Sequence, residues 1–136
     1  AAATAPAAAG RNRRVLLVED TADNRLLIRA YLKKTDVEVD EAENGQEALE
    51  MFRAGDYGLV LMDVQMPVMD GHAATRAIRE WEAAEGREPT PVIALTAHAI
   101  REEMDKSLAA GCTAHLTKPI KKSVLVRTLE DYLGTG

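Results

Sequence analysis

Three stretches of this chain, Val15-Leu16-Leu17-Val18, 58–62 and 92–95, carry no polar side chain, and they stop at Glu19-Asp20, Asp63 and Thr96 respectively. A strand with one wet face alternates apolar and polar residues, whereas a strand covered on both faces stays apolar throughout. Segments of helical spacing separate these runs. Leu27, Ile28, Tyr31 and Leu32 mark a helix between 24 and 34, with Asp23 expected as its cap. Residues 37–42 read as a short strand, after which Asn44-Gly45-Gln46-Glu47 forms a capping box opening a helix through Phe52. Asp70-Gly71 opens a helix with Ala74, Ala77, Ile78 and Trp81 on one face, and 86–91 breaks it. Ile100, Met104 and Leu108 are expected on one face of the next helix, with Gly111 capping its end. Residues 113–117 read as the last strand. Val124, Leu125, Leu129, Tyr132 and Leu133 define the inward face of a final helix.

Five strands, each followed by a helix, predict an α/β fold: a three-layer α/β/α sandwich around a five-stranded parallel sheet with right-handed crossovers. In open sheets of this kind the ligand site lies beyond the carboxyl ends of the strands, where strand order reverses. Glu19, Asp20, Asp63, Thr96 and Lys118 all fall at such ends. Taken singly, an acidic pair after a strand is a turn or cap, Thr96 a cap, and Lys118 a solvated charge. Taken together they put three carboxylates, a hydroxyl and an ammonium on one rim. Uncompensated carboxylates in a cluster push each other's pKa up. A divalent cation relieves that repulsion, and a small set of hard oxygen ligands suits Mg²⁺.

Composition narrows the classes. A chain of 136 residues, 46% hydrophobic and 29% charged, matches one globular domain with one real core. A net charge of -5 argues against a general nucleic-acid binder. A single cysteine, Cys112, forms no internal disulfide and fits a reducing, cytoplasmic setting; next to Gly111 it is expected to be a small buried hydrophobe. No apolar run approaches the ~20 residues of a bilayer-spanning helix, so no membrane contact is expected of this domain. The Ala/Pro-rich lead, residues 1–12, reads as a linker or expression remnant.

The stretches VLLVEDTADNR, LVLMDVQMPVMDG, PVIALTAHA and HLTKPI, in that order and at fitting intervals within 15–133, resemble the receiver domain of two-component response regulators and hybrid histidine kinases. The resemblance implies a receiver domain over 13–134 with the (βα)5, flavodoxin-like and CheY-like fold. Its strand order, 2-1-3-4-5, is carried over from the family, a member of which is a standard example of that order. By the same resemblance Asp63 is the nucleophile that becomes an aspartyl phosphate. Mg²⁺, for which Mn²⁺ can substitute, would be held by Asp20, Asp63 and the backbone carbonyl of Gln65, with Glu19 acting mainly through a water. Lys118, the Thr96 hydroxyl and the Ala97 backbone N–H would bind phosphoryl oxygens. Pro119 matches the family's cis-proline. Thr96 and His115 would form the switch. His115 stands where the family often has Tyr or Phe, and reads either as a modified switch or as a partly exposed strand residue.

The remaining singled-out residues have plain readings. Met62, Met66 and Met69 are packing residues, because thioethers suit soft metals. His72 is expected at the surface. Gln65 and His98 lie where the family tunes phosphoryl lifetime. The implied partners are a histidine kinase or a histidine phosphotransfer domain, with a weak homodimer through the fourth helix, fifth strand and fifth helix. The implied context is the C-terminal receiver of a hybrid kinase, with a free-standing single-domain regulator as the alternative. The domain alone is not expected to be an enzyme beyond its own phosphorylation and slow dephosphorylation. A haloacid-dehalogenase-like phosphatase also uses Asp and Mg²⁺, but it usually places a second Asp where Gln65 stands. A pseudo-receiver would lack the acidic and basic set present here. A flavodoxin-like FMN carrier needs a phosphate loop where this chain has Glu-Asp-Thr.

Overall fold

A computed structural model of the chain describes residues 13–64, 70–97 and 101–133. Within them run β1 (Arg14–Val18), α1 (Ala22–Leu32), β2 (Glu38–Ala42), α2 (Gly45–Ala54), β3 (Leu59–Asp63), α3 (Gly71–Ala84), β4 (Val92–Thr96), α4 (Arg101–Ala110), β5 (Ala114–Thr117) and α5 (Lys122–Leu133). The lead 1–12, Gln65, Met66, Met69, His98 and Ile100 lie outside the described residues.

All strand pairs are parallel, in the order β2-β1-β3-β4-β5. The three wholly apolar runs are β1, β3 and β4, at the centre, and period-two alternation explains why they are apolar throughout. Val15, Leu17, Leu59, Leu61, Ile93 and Leu95 pack on one side against Ile28 and Leu32 of α1 and Leu125, Leu129 and Leu133 of α5. Leu16, Val18, Val60, Met62, Val92 and Ala94 pack on the other side against Ala48, Leu49 and Phe52 of α2 and Ala74 and Ile78 of α3. Each strand thus feeds two cores, and truncating one of these leucines to Ala costs about 2–5 kcal/mol.

The helix ends obey local chemistry where the chain offers it. Asn44 Oδ1 accepts from the Glu47 amide at 2.8 Å, and the Glu47 side chain accepts from the Glu43 amide at 2.9 Å, so the box closes one residue earlier than expected. Asp70 Oδ1 caps α3 through the Ala73 amide at 2.8 Å. Gly111, at φ 107, ends α4 in a conformation that favours glycine. Among the described residues no helix is long and apolar enough to cross a membrane.

Four expectations need correction. Asp23 does not cap α1; the cap position is Thr21, and Asp23 sits in the first turn. The Arg25 N–H donates to Thr21 O at 3.1 Å, which places the start of the helix before Asp23. On α4, Leu108 is 56% exposed, while Ser107 and Ala110 are buried. Small residues let α4 approach its neighbour closely, which a pattern of bulky residues cannot announce. His72 is less exposed than expected: it is partly buried, and its Nε2 lies 2.9 Å from Ser107 Oγ, joining α3 to α4. Val124 is 45% exposed, leaving Leu125, Leu129 and Leu133 as the buried stripe of α5. Cys112 is buried, as expected, with its thiol 3.7 Å from Thr75 Oγ1; burial pushes the thiol pKa up.

Candidate functional site

From β1 the chain crosses to β2 on one side and returns to β3 on the other, so the ends of β1 and β3 flank the point where strand order reverses. Glu19 follows β1 and Asp63 ends β3. Both are buried, at 0% and 3% exposure, while Asp20 is open to solvent. Glu19, Asp20 and Asp63 each present a carboxylate oxygen, and these oxygens lie within 4.8 Å of one another.

Backbone pairing carries this arrangement across the sheet. The Glu19 N–H donates to Ala42 O at 3.1 Å, that of Val64 to Leu95 O at 3.1 Å, and that of Lys118 to Thr96 O at 2.7 Å. The last bond sets Lys118, just past β5, beside the end of β4. Its ammonium then reaches Glu19 Oε2 at 2.9 Å and Asp63 Oδ2 at 3.3 Å. The Lys118–Pro119 peptide is cis. Thr96 is buried at the end of β4, and Ala97 follows it, exposed. His115 is partly buried on β5, paired with Ala94. Ala114 and Leu116 face the α1–α5 core, so His115 points to the opposite side of the sheet, where α4 lies.

The charges are mutually supporting. Burial alone would raise the Glu19 carboxyl, but the Lys118 ammonium, the Asn24 amide and Asp63 outweigh it and hold Glu19 below the usual range. Burial would likewise lower Lys118, yet Glu19 and Asp63 hold it above its ordinary value. An oxygen-only donor set of three carboxylates with one adjacent ammonium fits a hard divalent cation of the Mg²⁺ kind.

Two residues of this site went unmarked in the sequence reading, although both stand inside the stretch VEDTADNR. Asn24 Nδ2 donates to Glu19 Oε1 at 3.3 Å. Arg25 Nη1 donates to the Glu19 backbone carbonyl at 2.7 Å. Their place in the first turn of α1, five and six positions after Glu19, was the available signal.

Fold and site together define a doubly wound α/β protein with an acidic, metal-competent pocket at its switch point. Residues 15–130 match the family model of the response regulator receiver domain, and the chain belongs to that family: it is a receiver domain of two-component signalling. It is 41% identical over 129 residues to the sensor protein GacS of Pseudomonas syringae pv. syringae, covering 95% of this chain and 14% of that protein. It is also similar to the receiver domain of the sensor histidine kinase PA1611 from Pseudomonas aeruginosa PAO1, solved with a magnesium ion coordinated in the active site cleft. There the TM-score is 0.81 and the identity 35%, over 92% of this chain and all of that one (100%). A third relative is the Saccharomyces cerevisiae Ssk1 receiver domain, co-crystallised with the histidine phosphotransfer protein Ypd1. That match has TM-score 0.86 and 32% identity, over 90% of this chain and 89% of that one.

Proposed function

We propose that this receiver takes a phosphoryl group from a phosphohistidine onto Asp63 and that the phosphorylated form changes its affinity for a partner. The observation that carries the reading is the Lys118 ammonium, 2.9 Å from Glu19 and 3.3 Å from Asp63, beside three carboxylates whose oxygens lie within 4.8 Å. An Asp63 oxygen attacks phosphorus, the bond from phosphorus to the donor imidazole breaks, and the imidazole nitrogen keeps the electron pair. Asp63 needs no general base, because a carboxylate is already ionised at neutral pH. Lys118 pairs with one phosphoryl oxygen, and the Thr96 hydroxyl with the Ala97 N–H serves others; such transfer depends chiefly on positioning and charge neutralisation. Glu19, Asp20, Asp63 and the Gln65 carbonyl are the proposed Mg²⁺ ligands, with Glu19 acting from behind. Bound Mg²⁺ supplies charge neutralisation at the phosphoryl oxygens.

The donor is a histidine kinase or a histidine phosphotransfer domain, by the chemistry of Asp63 and by likeness to the Ssk1 receiver. The chain spans 14% of the sensor protein it matches, and we assign it to the receiver of a hybrid kinase on the cytoplasmic side. On its own the domain performs only self-phosphorylation and slow dephosphorylation. Incubation with a small acyl phosphate and Mg²⁺ should add one phosphoryl group, mapped by mass spectrometry to Asp63. Asp63→Asn should remain unlabelled, as should the wild type in excess chelator. Full labelling of Asp63→Asn overturns the assignment.

A further inference from the structure

Where the chain leaves β1, Arg25 of α1 joins three elements. Its Nη1 donates to the Glu19 carbonyl at 2.7 Å, and its Nε donates to Glu41 Oε1 on β2 at 3.0 Å. The Arg25 side chain is only 14% exposed. Glu41 is also ion-paired with Arg29 at 3.0 Å, and Arg29 in turn donates to Val39 O at 2.8 Å, so the clamp is tied to the edge strand at two points.

The carbonyl that Arg25 holds belongs to the peptide unit joining Glu19 to Asp20. That unit is where the chain leaves the sheet. Its strand side is fixed by the ladder bond from Glu19 N–H to Ala42 O at 3.1 Å. Arg25 fixes its other side, and with it the direction in which the Asp20 carboxylate departs. Glu41 sets an opposite charge 3.0 Å from the guanidinium, so the field the pair casts toward the pocket is that of a dipole rather than a bare cation. What Arg25 contributes to the pocket is therefore orientation rather than charge.

We propose that Arg25 is a positioning residue for metal binding: by holding the Glu19–Asp20 peptide it sets the approach of Asp20 to Glu19 and Asp63. This rests on the reading of that carboxylate cluster as the Mg²⁺ site. Outer groups that orient ligands commonly change metal affinity by about 10–100-fold when removed. A lysine keeps the charge but has one nitrogen, which cannot span Glu41 and the Glu19 carbonyl as the guanidinium fork does.

The test is calorimetric titration of the whole chain with Mg²⁺ alone, well below the melting temperature, for the wild type, Arg25→Ala, Arg25→Lys and Asp20→Ala. Arg25→Ala and Arg25→Lys should both weaken Mg²⁺ binding by roughly tenfold, and labelling of Asp63 should need correspondingly more Mg²⁺ while keeping its rate at saturation. Arg25→Lys, the milder change, carries the test if the Ala variant does not fold. A Lys variant with wild-type affinity overturns the proposal in favour of a charge effect, and unchanged affinity in both folded variants overturns it in favour of a purely structural role. Loss of binding only in Asp20→Ala would leave the metal site standing and remove Arg25 from it. A wild type that takes up no Mg²⁺ overturns the site reading and this proposal together.

Discussion

Glu19 is fully buried and accepts hydrogen bonds from three donors of separate origin: the Lys118 ammonium, the Asn24 amide and the Thr21 backbone N–H. A buried carboxylate stays charged only when its oxygens are served in this way. A second ionisable group shows the same logic at the opposite end of the sheet, away from the pocket. Tyr57 is 6% exposed, donates its hydroxyl to Asp40 Oδ2 at 2.8 Å, and lies under the Arg14 guanidinium at 4.9 Å. Burial, then the bond to Asp40, pushes the phenol up to about 12 from 10.0. The Tyr57 and Arg14 donors hold Asp40 below the usual carboxylate range. The raised phenol contributes stability that is fully present below pH 10.0 and lost as pH rises toward about 12. The depressed carboxyl works the other way, contributing above its ordinary pKa and losing that contribution as pH falls. Tyr57 should therefore ionise late in an ultraviolet phenolate titration, and Tyr57→Phe should remove that late step. The same variant should lower stability by about 1 kcal/mol in denaturant melts at neutral pH. A titration whose late step survives unchanged in Tyr57→Phe would contradict this.

Element placement depends on close approach as much as on apolar area. A Cβ added to Gly71, the first residue of α3, would stand 2.2 Å from Asp63 O and 2.7 Å from Val64 Cα. Both are backbone atoms, so nothing short of moving α3 or the end of β3 makes room. Gly71 is needed here for space. Gly71→Ala should destabilise the domain by about 1–3 kcal/mol, as overpacking does, and should slow the labelling of Asp63 even where the protein remains folded. Thermal melts read the first effect and acyl-phosphate labelling the second. A wild-type labelling rate in a destabilised variant would separate α3 packing from the site. At the far end of α3, Glu82 is buried and bonded to Arg79 at 2.7 Å and to the Thr90 amide at 2.7 Å. Arg79 also donates to Gly111 O at 2.9 Å, so the start of β4 and the end of α4 are fastened to one helix.

Across the whole molecule, β4 and β5 are the elements through which the proposed switch would carry a change at Asp63. Thr96 pairs in register with Thr117, its carbonyl accepts from the Lys118 amide at 2.7 Å, and two residues back Ala94 pairs with His115. A phosphoryl group on Asp63 that draws the Thr96 hydroxyl inward would shift the loop after β4, opening room for the His115 side chain on the α4 side. Such a ligand moves a two-state equilibrium only by its differential affinity for the two states. With imidazole in place of a larger phenol, the expected bias is modest. Amide NMR with a phosphoryl analogue on Asp63 should show shift changes over β5, α4 and α5 in the wild type. Those changes should be reduced in Thr96→Ala and His115→Ala. Identical shift changes in all three proteins would make His115 a bystander.

The alternation of apolar runs with helical patterns, and the polar residues that end those runs, were legible in the chain because both are short-range properties. A strand buried on both faces has to be apolar at every position, and the residues just past β1, β3, β4 and β5 have to reach one rim once the strands are parallel. Glu19, Asp20, Asp63, Thr96 and Lys118 could be named on that ground. Pairings set by distance in space were not legible. Arg25 finds Glu41 16 positions along the chain, His72 finds Ser107 at 35 and Lys118 finds Glu19 at 99. Nothing in local periodicity ranks such partners. The same reason explains Leu108 and Ser107: helical spacing identifies a stripe, but the space left by the neighbouring helix decides whether a leucine or a serine turns inward. Sequence determined which elements form and which side chains end them; packing determined which of those side chains touch.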